Sequence, residues 1–137
     1  MNSSNYYKTI NTKEKNWNRF NPISVGLLKK LIEETNSRIV ITSSWRFGAK
    51  QLLFKELSKT GLNKYLHKNW ETPQLYGNKR GNEIKLWLDN NQEVTNYVII
   101  DDADEVLQEQ LEYFVRTKIE TGFGEENYQR AKKILME

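Results

Sequence analysis

Two short runs of apolar, mostly β-branched residues restrict the class of fold open to this chain. Arg38-Ile-Val-Ile-Thr42 and Tyr97-Val-Ile-Ile100 each stop at polar residues, Ser43-Ser44 in the first case and Asp101-Asp102 in the second. A strand with one wet face alternates apolar and polar residues. A strand that is apolar throughout is buried on both faces, the pattern of a parallel sheet covered by helices. The segments around these runs have a different period. After Pro22 and Ser24, residues Val25, Leu27, Leu28, Leu31 and Ile32 recur at helical spacing, and Asn36 ends the series. Further helices are expected over residues 49–59, with Leu52, Leu53 and Leu57 inward and Gly61 as the stop, and from Gly81 on, with Ile84, Trp87 and Leu88 inward. Residues 105–112 and 125–136 also read as helical, and 113–117 as a third strand. Residues 62–79 read as irregular and 1–19 as polar loop. Alternation of strand and helix makes the chain an α/β protein with a parallel sheet. No internal repeat or low-complexity linker divides it.

Composition closes several routes to function. The 137 residues contain no cysteine and one histidine, His67, so cysteine nucleophiles, disulfides and histidine-rich metal sites are excluded. His67 lies in a polar stretch and reads as a surface residue; Trp17, Trp70 and Trp87 read as packing groups, and Trp45 as a cleft wall. A net charge of +3 suits a phosphorylated substrate but does not by itself imply nucleic acid. No apolar stretch approaches the ~20 residues of a membrane span, and the start lacks the apolar run of a signal peptide. A cytoplasmic protein with no membrane partner is the expectation.

In an open parallel sheet, ligands bind beyond the carboxyl ends of the strands. The residues standing there are Thr42, Ser43, Ser44, Trp45 and Arg46 after one strand, and Asp101 and Asp102 after the other, with Asp104 and Glu105 close behind. Two adjacent carboxylates at a buried strand end repel and are costly to desolvate. A hard cation removes that cost, and Mg²⁺ takes one or two carboxylates, filling its octahedron with water and phosphate oxygens. The alternative is that the pair caps a following helix. Thr42 and Ser43 offer hydroxyls and N–H groups to phosphate, or caps to a helix. Arg46 and Arg80 are candidate phosphate clamps, because guanidinium matches phosphate bidentately. Arg80 also precedes Gly81 at a helix start, where free N–H groups favour an anion.

Taken together, IVITSSWR (39–46), Thr72-Pro73, RGNEIKLWL (80–88) and YVIIDDADE (97–105) resemble the haloacid-dehalogenase (HAD) superfamily. More narrowly they resemble the phosphatase-like domains of bacterial and phage Swiss Army Knife RNA repair proteins. The resemblance implies a three-layer Rossmann-like sheet and an Mg²⁺-dependent phosphohydrolase acting on a phosphate monoester, such as a nucleotide or a nucleic-acid end. It implies that Thr42 or Ser43 binds the transferring phosphoryl group. Arg80, with Lys79, balances its charge, and Asp101 and Asp102 hold Mg²⁺ with Glu105 as a further acid. One part of the pattern is missing. Relatives begin with an apolar strand ending in Asp-x-Asp-Gly, which supplies the nucleophile and the general acid/base; no such motif precedes Asn21.

That absence leaves two expectations. Met1-Asn2-Ser3 resembles the residues just after the motif in relatives, which implies a domain beginning upstream, residues 1–20 being a remnant loop or small cap before a domain over 21–137. The other is a genuine loss, leaving a non-catalytic binding or scaffold protein. Either way the usual first, central strand is lacking, between those ending at Thr42 and Ile100. Its position is left to rearrangement, to a strand-donating partner or self-association, or to residues 4–12 as a poor substitute, of which 6–10 is the one N-terminal stretch with strand propensity.

Overall fold

The computed structural model describes residues 6–10, 21–42, 50–118 and 120–137, with residues 6–10 and 50 described by their backbone alone. Among the described residues, five parallel strands form one sheet: β1 (Tyr6–Ile10), β2 (Arg38–Ile41), β3 (Leu66–Glu71), β4 (Asn96–Asp101) and β5 (Phe114–Arg116), in the order β3-β2-β1-β4-β5. The helices are α1 (Pro22–Thr35), α2 (Lys50–Thr60), α3 (Arg80–Asp89) and α4 (Glu125–Met136), with short 3₁₀ segments at Leu62–Tyr65 and Gln108–Tyr113. None of the helices among the described residues is long and apolar enough to cross a membrane.

Side chains on successive strand positions go to opposite faces, and the two covered faces account for the unbroken apolar runs. Ile39, Ile41, Val98, Ile100 and Val115 join one core with Leu28, Leu31 and Ile32 of α1, Leu53 and Leu57 of α2, and Tyr128, Ala131 and Leu135 of α4. Val40 and Ile99, one residue out of phase, pack on the other face against Trp87 and Ile84 of α3. Each such burial is worth about 1.5–3 kcal/mol, so a one-residue slip of β2 or β4 would move its whole apolar set to the wrong layer.

Local chemistry sets the element ends. Asn21 caps α1, its Oδ1 accepting from Ile23 N (2.8 Å) and Ser24 N (3.1 Å), with Pro22 in the first turn. Asn36 takes a left-handed conformation (φ 55°) and ends α1 as its sequence position suggests. At the other end of the chain, Asn96 Nδ2 donates to Ile134 O and Leu135 O, satisfying carbonyls at the close of α4.

Three segments differ from the sequence reading. Residues 6–10, within a stretch read as loop, form the central strand, so of the occupants weighed for that position it is the chain's own N-terminal stretch that fills it. Residues 62–79 are not wholly irregular: Leu66–Glu71 is edge strand β3, whose polar residues hid it from a test based on apolar runs. The helix expected over 105–112 is a 3₁₀ segment beginning at Gln108.

Candidate functional site

Strand register brings the candidate residues to one edge of the sheet. Ile10 pairs with Ile41 on one side and Ile100 on the other. Thr42 and Asp101, each one residue further on, therefore stand level across the sheet. With β1 between them and strands ~4.8 Å apart, they are separated by roughly 10 Å. Thr42 is buried at the end of β2. Ser43, Ser44, Trp45 and Arg46 lie outside the described residues.

Arg80 reaches this edge from the first turn of α3. Its Nη1 donates to Asp101 Oδ2 at 2.7 Å, and Asp101 is only 2% exposed. The other carboxylate oxygen, Oδ1, accepts from Ala103 N (3.0 Å), which turns the chain sharply after β4. Neither aspartate caps a helix, because the following 3₁₀ segment has Leu107 at its N-cap position. The capping alternative for the acidic pair is thereby removed.

The approach of α3 to the β4 loop depends on a glycine and a glutamine. Gly81 N donates to Glu105 O (2.8 Å), and a Cβ on Gly81 would lie 2.7 Å from Gln110 Oε1 and 2.8 Å from Leu107 N. Gln110, buried, donates from Nε2 to Gly81 O (3.0 Å) and accepts at Oε1 from Leu107 N (2.9 Å). This clasp fixes where Arg80 meets Asp101. Sequence reading missed Gln110, since a glutamine amid polar residues carries no signal of burial.

Asp102 and Glu105 are half-buried. The Asp102 carbonyl accepts from Arg116 Nε (3.2 Å), while its carboxylate has no hydrogen bond or ion pair among the described residues. Arg116 was also missed, although it follows the apolar pair Phe114-Val115 just as Asp101 follows Ile100. Among the described residues no three acidic or histidine side chains gather as a metal cage, so Glu105 is not brought in as a third ligand. The donor set that remains suits Mg²⁺: two hard carboxylates, one of them uncommitted, beside an edge where water and phosphate can complete the shell. Lys79 is exposed at the N-cap position of α3 and makes no capping bond.

His67 is not a surface residue. It is 5% exposed, edge-on to Trp87 with ring centroids 5.0 Å apart, and its Nδ1 accepts from Asn69 N (2.9 Å). Burial pushes its pKa below the usual range, opposed by Glu93, whose Oε2 lies 3.7 Å from Nε2. Trp70 and Trp87 are packing groups as expected, Trp70 against Phe54 and Trp87 through Nε1 to Asn69 O (2.8 Å). Trp17 lies outside the described residues.

A family model described as the HAD domain in Swiss Army Knife RNA repair proteins matches residues 1–128. No curated protein and no solved structure matches the chain.

Proposed function

Because the chain belongs to this family of HAD domains, we propose that it is an Mg²⁺-dependent phosphohydrolase-type domain whose ligand is a phosphate monoester, such as a nucleotide or a nucleic-acid end. The observation that carries this reading is the Arg80–Asp101 pair at the last residue of β4, level with Thr42 just past β2. Asp101 and Asp102 would hold Mg²⁺, which when bound neutralises phosphate charge. Arg80 keeps further N–H donors beyond the one given to Asp101, and these suit phosphate oxygens. Thr42 supplies a hydroxyl or N–H on the opposite side, with Lys79 as an outer cation and Glu105 as a nearby acid; Ser43 and Arg46, outside the described residues, are phosphate-binding candidates from the sequence alone.

Residues 1–20 contain no aspartate. In this reading the 137-residue chain binds phosphate without turnover, because β1 already fills the central strand position and residues 1–20 supply no aspartate nucleophile. Calorimetric titration with inorganic phosphate tests the binding half. Affinity should require Mg²⁺ and fall at least roughly tenfold in Asp102→Asn; phosphate binding indifferent to both would sink it. Incubation of the chain with an aryl phosphate and Mg²⁺ tests the other half: no turnover is expected, and hydrolysis abolished by Asp102→Asn would contradict it.

The missing aspartate also favours a second reading, a non-catalytic binding module. It predicts salt-sensitive association with nucleic acid that does not respond to Mg²⁺.

A further inference from the structure

Tyr76 is 84% exposed, more than any other large hydrophobic side chain among the described residues. Exposure alone is ordinary. The unusual feature is how firmly the exposed residue is held. Asn78 N donates to Leu75 O (3.1 Å), closing a turn over Tyr76 and Gly77, and Gly77 takes the positive φ (77°) that the third position of this turn demands. Leu75 N donates to the buried Glu83 carboxylate (2.9 Å), and Asn78 Oδ1 accepts from Asn82 Nδ2 (3.3 Å). Both ends of the turn are thus tied to the start of α3, the helix that opens with Arg80. An aromatic side chain on a fixed backbone stands four residues from the guanidinium on Asp101, with exposed Lys79 between them.

We propose that Tyr76 is a stacking platform for the nucleobase next to the phosphate, so that the site selects a nucleic-acid end over a small phosphate ester. The inference rests on the phosphate-site reading given above. Every base has a π-face, so an aromatic platform grips the end of a strand without demanding a sequence. Lys79 and Arg80 supply the charge that a phosphate backbone meets.

The test uses the 137-residue chain with Mg²⁺ and three probes: inorganic phosphate, a short oligoribonucleotide with a terminal phosphate, and the same oligonucleotide with an abasic terminal residue. Tyr76→Ala should weaken the base-bearing oligonucleotide by roughly five- to fiftyfold, with inorganic phosphate unchanged. Tyr76→Trp should restore the affinity, and the abasic oligonucleotide should not distinguish Tyr76→Ala from the parent chain. Equal affinity of the parent chain for the two oligonucleotides, with phosphate binding intact, overturns the platform alone. Failure of the parent chain to bind inorganic phosphate overturns the phosphate site and this proposal together.

Discussion

Asp101 and Asp102 are neighbours in sequence with different work to do. Asp101 is buried and bonded to Arg80, so Asp101→Asn leaves a guanidinium without its charge partner; a loss of about 1–3 kcal/mol in urea unfolding is expected. Asp102, half-buried and with a carboxylate that makes no hydrogen bond or ion pair among the described residues, should cost under about 0.5 kcal/mol as Asn while changing the response to Mg²⁺. Gly81→Ala should destabilise, although helix propensity alone would favour alanine. Its Cβ would press on the Leu107 backbone and Gln110, costing about 1–3 kcal/mol and shifting Arg80 from Asp101. His67 gives a pH signature. Its pKa is lower folded than unfolded, so between those values the unfolded chain binds more protons. Stability should therefore fall as pH drops below about 6.5, with a slope of at most about 1.4 kcal/mol per pH unit. Urea midpoints from pH 7.5 to 5 should show this slope, and His67→Phe should flatten it.

At the scale of elements, caps and apolar period together decide what a sequence reveals. α1 was legible because Asn21, Pro22, a clean apolar stripe and Asn36 all agree; α4 was legible from Tyr128, Ala131 and Leu135. Asn21→Ala should lower stability by about 1 kcal/mol, read from the thermal midpoint. β3 was illegible for a physical reason. Its side chains Lys68 and Asn69 are exposed at a sheet edge, and its one deeply buried residue is a histidine, so neither a period of two nor an apolar run survives. The site divides along the same line. Asp101-Asp102 and Arg80 stand at the ends of strongly patterned elements and could be read. Gln110 and Arg116 act through contacts made across the chain, to Gly81 and Asp102, which no local pattern encodes.

At the scale of the molecule, the resemblance identified the layers and the family, while the occupant of the sheet's centre came from the structure. β4 is paired on both sides and buried on both faces, so the amides of Val98, Ile99 and Ile100 should exchange slowest with solvent, and those of edge strand β3 should exchange well before them. Hydrogen-exchange mass spectrometry checks this; equal protection of β3 and β4 would contradict the strand order. Ile99→Ala, emptying the layer under α3, should cost about 2–5 kcal/mol.

The position of β1 also sets a schedule for folding. Tyr7 pairs with Arg38 on one side and with Tyr97 on the other, so the middle of the sheet is joined from the first and the last thirds of the chain. During synthesis β1 can meet β2 early, yet its second edge must wait until β4 has emerged. For that interval an open strand edge is exposed to other chains, the condition under which mispairing and aggregation begin. A chain joined this way is expected to refold slowly for its size, and its yield should improve when refolding is carried out dilute.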